Sequence, residues 1–307
     1  MNVKEQNTVS LVLGSGGARG IAHIGVINWL DEHGFKILSI SGASMGALVG
    51  GIYAAGALDI YARWVSTLEK MDVVRLLDFS FERKGLIKGD RIMNVLRELI
   101  GPHNIEDLPI SFTAVATDMN EEREVWLNQG PLFDAIRASI AIPTIFTPVN
   151  FRGHQLMDGG LINPIPMAPT LRDKTDITIA VNVCAKAEPE GLLKVTPPKE
   201  PPRQRVRKED RGSYRARISE FLDDLQERFL ERDQDEADFI DIISHSFDTM
   251  QSTITRFQMA AYSPDIIIEV PRNSASIYEF YRASELIALG YRRAEAVLAP
   301  YIKPTPG

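Results

Sequence analysis

An α/β fold built on a buried, mainly parallel sheet is what this 307-residue sequence predicts. Two successive units of apolar run, glycine-marked turn and helical pattern fill the first sixty residues. Further short apolar runs recur downstream, and helix-like segments stand between some of them. The first unit opens with VSLVLG (Val9 to Gly14), a continuous apolar run closed by glycine; Ile21, Ile24, Ile27 and Leu30 then stand three apart, a helical face that stops at Gly34. KILSI repeats the plan, with a turn at Ser41-Gly42 and a helix from about Met45. Three more runs read as strands: Ile110 to Asp118, Glu124 to Asn128 and Asp176 to Val183. VNFRGHQLMDGG reads as a hairpin whose Arg152-Gly153 turn brings the chain back to Asp158.

From about Ala185 the composition changes. PPKEPP is stiff and turn-rich, and RQRVRKEDRGSYRAR carries seven basic residues among fifteen. Ile218, Phe221, Leu222, Leu225 and Phe229 then fall at helix-face spacing with acidic residues between them. This segment reads as a helix lying on the parent domain, with a membrane-surface or partner-binding lid as the functional alternative. Order resumes with Phe239, Ile243, Phe247, Met250, Ile254 and Phe257, expected to be a core-facing stripe, and with the buried-strand run DIIIEV (Asp265 to Val270). A last helix from about Ser276 to Leu298, with Phe280, Ile287, Tyr291 and Leu298 on one face, closes the chain. The organisation expected is one domain over 1–307: a motif core at 9–183, a charged, partly helical excursion at 185–236, and C-terminal helices and strand at 237–299.

With 44% hydrophobic and 24% charged residues the chain has globular proportions, and its net charge of -7 sets up no basic field for a nucleic-acid partner. The single cysteine, Cys184, excludes an internal disulfide, suits a reducing compartment, and reads as a small buried residue near a strand end. MNVKEQNTVS lacks the basic, apolar and small-residue sequence of a secretory signal. The expected location is cytoplasmic, with peripheral membrane contact. Ser39 to Leu58 is uncharged for twenty residues, about the length that spans a bilayer, and Gly42, Gly46 and Gly50 are spaced like a helix-dimerisation seam. A membrane span would need helix from its first residue, whereas the stretch begins as the end of a β-compatible run, so strand, turn and helix is the reading preferred.

GASMG (Gly42 to Gly46) fits G-x-S-x-G, in which a serine sits on a sharp strand-to-helix turn. Its context is the one the pattern demands, and the helix that follows aims free amides and a positive dipole end toward Ser44. The bland alternative is that Ser44 only caps this helix. GSGGARG (Gly14 to Gly20) occupies the first strand-to-helix turn. A dinucleotide fingerprint would need glycine where Arg19 stands and an acidic residue at the end of the second strand, where Ser41-Gly42 stands instead. The other reading is an oxyanion hole, glycine amides facing the oxygen that turns negative when a serine attacks an ester carbonyl. The serine also needs a base. His23, His33, His103 and His154 read as structural or exposed, and His245, two residues from Ile243, faces away from the expected stripe. An aspartate held against the hydroxyl can take the proton, and MDGG (Met157 to Gly160) puts Asp158 at a strand end beside two glycines.

In these segments the chain resembles the patatin-like phospholipase family. Its glycine-rich oxyanion segment resembles Gly14 to Gly20, its GxSxG elbow Gly42 to Gly46, and its D-G-G motif Asp158, Gly159 and Gly160; ASIAIPTIFTPV (Ala138 to Val149) is similar to the segment these proteins carry before the aspartate. The resemblance implies a three-layer sandwich and a serine acyl hydrolase of phospholipids or other lipid esters, of phospholipase A or lysophospholipase type. It implies Ser44 as nucleophile, Asp158 as the base of a Ser-Asp dyad, and the amides of Gly16, Gly17, Ala18 and Arg19 as the oxyanion hole, with Arg19 also positioning the loop. Neither a metal nor an organic cofactor is implied. The competing reading is a non-catalytic regulatory or scaffold protein on the same fold, recruiting partners through the charged excursion.

Overall fold

The computed structural model describes residues 7–76, 88–143, 145–189, 191 and 234–302. The chain divides into two compact units, Met1–Pro197 together with Gln251–Gly307, and Pro198–Met250. Most of the expected excursion, including the Ile218 to Phe229 helix, lies outside the described residues.

Both expected βα units form. Strand β1 (Thr8–Leu13) leads through a 3₁₀ turn (Gly17–Ile21) into α1 (Ala22–Glu32), and β2 (Lys36–Ala43) leads through Ser44 into α2 (Met45–Ala54). Three helices follow, α3 (Leu58–Ser66), α4 (Lys70–Leu76) and α5 (Asp90–Ile100). Next come β3 (Ser111–Asp118), β4 (Arg123–Leu127), α6 (Leu132–Ser139), β5 (Val149–Phe151), β6 (His154–Asp158) and β7 (Ile177–Ala185). Helix α7 (Gln234–Tyr262), β8 (Ile266–Pro271) and α8 (Ala283–Leu298) complete the described chain. The sheet runs β5-β6-β3-β2-β1-β7-β8 with β4 added to β3; the β3-β2-β1-β7-β8 pairings are parallel and those of β4, β5 and β6 antiparallel.

Alternation along β1 divides the core. Val9, Leu11 and Leu13 face the larger side, where α1, α2, α3, α5, α6 and α8 contribute to one buried cluster; Val12 faces the other side with Ile165, Met167 and Ala180, covered by Met259 and Tyr262 of α7. The uncharged Ser39–Leu58 stretch is therefore the end of β2, the Ser44 turn and α2. Among the described residues no helix is long and apolar enough to cross a membrane. Helices α1 and α8 approach closely at glycine: a Cβ on Gly25 would run into Ile287 O, and one on Gly290 into Ala22 O.

Two expectations about the C-terminal helices are corrected. On α7, Met250 is 55% and Phe257 72% exposed, whereas Gln251 and Thr255 are buried. The inward face of α7 there meets polar turns as well as the sheet, so it carries an amide and a hydroxyl that a search for apolar periodicity passes over. The side chains of Phe239 and Ile243 lie outside the described residues. The last helix begins at Ala283 rather than Ser276. Before it, Glu279 accepts from the Ser276 amide and from Arg282, folding the segment into a separate turn. The buried face of α8 is Ala283, Leu286, Leu289, Gly290, Ala294 and Leu298, with Ile287 and Tyr291 at its margin, because small residues are what allow α1 so close.

Candidate active site

The site is assembled by register on β3. Ala43, the last residue of β2, pairs with Val115, while Asp158, the last residue of β6, pairs with the next residue, Ala116. Because β4 occupies Ala114–Asp118 from the opposite edge, β2 and β6 share one edge of β3 and meet end to end. Ser44 leaves β2 at that junction, and its Oγ donates to Asp158 Oδ2 at 2.6 Å.

Ser44 has φ 54 and ψ -123, a backbone conformation that costs a residue with a side chain on the order of 1–3 kcal/mol. The turn is held open from several sides. A Cβ on Gly46 would run into Leu13 O, and one on Gly42 would sit 2.5 Å from the Ala47 amide nitrogen. The Ser44 amide donates to Ser139 Oγ at 2.9 Å, and Ser139 Oγ donates to Val115 O at 2.6 Å. Ser44 makes no side-chain capping bond to α2, which overturns the capping alternative: its hydroxyl is turned to the carboxylate.

Asp158 and Ser44 are each 1% exposed. The second carboxylate oxygen, Oδ1, accepts from the Gly160 amide at 2.7 Å, the Asp158 amide donates to Ala141 O at 3.0 Å, and Thr117 Oγ1 donates to Asp158 O at 2.9 Å. Burial raises the Asp158 carboxyl to about 7, against the hydrogen bonds from Ser44 and Gly160, which favour its charged form. A carboxyl poised near neutrality in contact with a serine hydroxyl can exchange a proton with it. None of the four histidines with described side chains bonds to Ser44 Oγ, and the side chain of His245 lies outside the described residues. His23 Nε2 donates to Gly14 O at 2.9 Å, a carbonyl that can only accept, and burial lowers the ring's pKa to about 4, so at neutral pH the imidazole is uncharged with its proton on Nε2.

The glycine-rich turn lies against the elbow, since a Cβ on Gly20 would run into Met45. Within it the Gly14 amide donates to Val181 O, the Ser15 amide to Pro164 O and the Ala18 amide to Ile277 O. The Ala18 amide is thus engaged within the fold, while Gly16 and Gly17 stand at the entry to the 3₁₀ turn. Gly17 has φ +55, where a side chain would be strained. Arg19, 3% exposed, donates from Nε to Gly16 O and from Nη1 to Arg272 O, both at 3.0 Å, so its guanidinium fixes the turn. Cys184 lies beneath it, buried as expected, with Sγ 3.3 Å from Ser15 O. Among the described residues no group of histidine, cysteine and acidic side chains could hold a metal ion.

Sequence reasoning singled out Ser44, Asp158 and the glycines but missed Ser139 and Gln251. Ser139 lies inside the noted Ala138 to Val149 segment; Gln251 left no signal, because a polar residue on a helix facing a turn matches no spacing rule. Residues 11–171 match the family model of patatin-like phospholipase, a span that holds all three motifs. The chain is also similar to an uncharacterized NTE family protein of Mycobacterium tuberculosis, 38% identical over 95% of this chain and 92% of that protein. It is 31% identical to lysophospholipase nte1 of Emericella nidulans, over 57% of this chain and 12% of that much longer protein. Among solved structures, VipD from Legionella pneumophila aligns with 60% of this chain and 51% of its own at TM-score 0.36 and 16% identity, a likeness too distant to bear on the site. With the family model covering more than half of the chain and the mycobacterial relative nearly all of it, this chain belongs to the patatin-like phospholipase family.

Proposed function

We propose that the chain is a serine acyl hydrolase of lipid esters, of phospholipase A or lysophospholipase type. The observation that carries the reading is the 2.6 Å contact of Ser44 Oγ with a buried carboxylate whose pKa is raised to about 7. Ser44 Oγ attacks the ester carbonyl as Asp158 Oδ2 takes its proton, and the negative charge on the carbonyl oxygen is met by the Gly16 and Gly17 amides and the N-terminus of α2. The leaving alcohol recovers the proton from Asp158. Water, deprotonated by the same carboxylate, then attacks the acyl carbonyl, and Ser44 Oγ leaves with the proton that Asp158 hands back, freeing the acid. The lipid class rests on membership of the patatin-like phospholipase family and on the named lysophospholipases among its relatives.

A fluorophosphonate probe tests the nucleophile: wild type should be labelled and Ser44→Ala should not. Equal labelling of both would exclude Ser44, and no labelling of folded wild type would return the chain to a scaffold role. Mass spectrometry of a mixed lipid extract incubated with wild type and Ser44→Ala tests the substrate class; free fatty acid appearing at the expense of phospholipid or lysophospholipid, with wild type alone, is the expected result. Asp158→Asn should abolish turnover and His245→Ala should not; comparable loss in both would restore a triad.

A further inference from the structure

We propose that Gln251 is a positioning residue for the Ser44–Asp158 pair, its side-chain amide tying the turn that carries Asp158 to the glycine-rich turn. The proposal rests on the reading of Ser44 and Asp158 given above. Gln251 is 3% exposed on α7, and its Nε2 donates to Gly160 O at 2.9 Å and to Ser15 Oγ at 3.2 Å. The carbonyl of Gly160 can only accept, so the nitrogen of the amide must face it, and the side chain has one orientation. Gly160 is pinned between its two neighbours: a Cβ there would run into Gln251 Nε2 and lie 2.5 Å from Ser15 Oγ.

Gly160 is the residue whose amide holds Asp158 Oδ1, and Ser15 immediately precedes the Gly16 amide. One buried amide therefore sets both the direction of the carboxylate and the position of the oxyanion turn. Burying a glutamine without partners costs on the order of 1–3 kcal/mol, and packing α7 on the sheet by itself would be served as well by leucine or methionine. The two acceptors are what give this position a reason for an amide. Among the described residues the side-chain and loop hydrogen-bond partners of Asp158 are Ser44, the Gly160 amide, Ala141 O and Thr117, none of them charged, so a change in its titration reports on this hydrogen bonding.

The test uses the full chain as wild type, Gln251→Met and Gln251→Glu, with two readouts. The first is the Asp158 carboxyl titration by carbon-13 NMR, its signal assigned by loss in Asp158→Asn. The second is kcat and KM on a lysophosphatidylcholine probe. Gln251→Met should lower kcat by about 10- to 100-fold, the scale of a small misplacement of reacting groups, with KM within about twofold. Its Asp158 midpoint should rise, because the Gly160 amide is no longer held on the charged form. Gln251→Glu should raise the midpoint further by placing a second carboxylate nearby. Ser15→Ala, which leaves the helix packing intact, should move both quantities the same way by less, and it decides the matter if the Gln251 variants do not fold. An unmoved midpoint with kcat unchanged, or falling only in step with the folded fraction, overturns the proposal. If wild type cleaves no ester, the functional reading fails, and the NMR arm alone decides: a raised midpoint in Gln251→Met supports the positioning role and an unmoved one overturns it.

Discussion

The two strand-to-helix turns at the centre of the sheet are neighbours in register, Leu13 opposite Gly42, yet they are made rigid in opposite ways. The Ser44 turn must present a side chain from a backbone conformation hostile to side chains, so its own contour confines it. Glycines stand two residues to either side, the carbonyls of Leu13 and Gly14 press on Gly46, and Ser139 takes its amide. The Gly14–Gly20 turn must present bare amides, which glycine allows but does not fix. It is clamped by side chains, Arg19 of the turn itself on Gly16 O and, from outside, His23 on Gly14 O, Cys184 at Ser15 O and Gln251 on Ser15 Oγ. A turn that offers a side chain is shaped chiefly by its own glycines and close backbone packing, and one that offers backbone is held chiefly by side-chain clamps, most of them from outside it.

The largest effect expected falls on the first kind. Ser44→Ala and Asp158→Asn should each lower kcat by about 10⁴-fold or more, the loss seen when members of a nucleophile–base unit are removed. Asp158→Asn should also reveal what the site costs in stability. The folded carboxyl titrates at about 7, well above its ordinary value. Between the two values the unfolded chain has released a proton that the folded chain retains, so stability falls as pH rises through that window. The asparagine can accept from Gly160 and donate to Ser44 Oγ without carrying charge. Thermal melts should therefore find Asp158→Asn more stable than wild type at pH 8, by up to a few kcal/mol, with the gap closing toward pH 4. A gap independent of pH would mean that the carboxylate is not the strained group. The same raised value puts the rising limb of the wild-type rate profile near pH 7, since only the carboxylate can take the serine proton.

The clamped turn is broken by removing a clamp. Arg19→Met should cost kcat about 10²-fold, the scale of a lost oxyanion donor, with labelling by a fluorophosphonate slowed and not abolished. Arg19→Lys should restore little, because one ammonium cannot span Gly16 O and Arg272 O as the guanidinium fork does. Full rescue by lysine would mean that charge, and not the clamp, is what the turn requires.

This division also explains what could be read before the fold was known. The elbow and the Asp158 turn are local: strand, turn residue, glycine and helix follow one another in sequence, so Ser44, Asp158 and all the motif glycines were legible, as were the eight strands' main runs. Their meeting was expected only from the family resemblance, because it depends on which residues of β3 the ends of β2 and β6 select. The clamps were not legible. Arg19 drew notice only because it stands inside the motif, whereas Gln251 lies 236 residues from Ser15, on a helix where apolar periodicity pointed to the wrong face. The same limit moved the start of α8, where Glu279 and Arg282 organise a turn that the face through Phe280, Ile287, Tyr291 and Leu298 had placed in the helix.

The mildest effect belongs to a histidine–carboxylate contact that has the look of half a triad and lies outside both turns. His154 Nδ1 is 2.8 Å from Asp118 Oδ2, at the start of the β6 hairpin strand, and its side chain is 41% exposed. Asp118 pairs with Leu156, two pairings beyond Ala116–Asp158, and its Oδ1 already accepts from the Asn120 amide. Solvent screens the partly exposed partner, so removing it should cost no more than about 1 kcal/mol. His154→Ala is therefore expected to lower the melting temperature slightly and leave kcat within about twofold at pH 8. A tenfold loss of kcat with the fold intact would show that the hairpin, and not only the two turns, fixes Asp158, and the contrast drawn between self-confined and clamped turns would then have to include a third support running through β6.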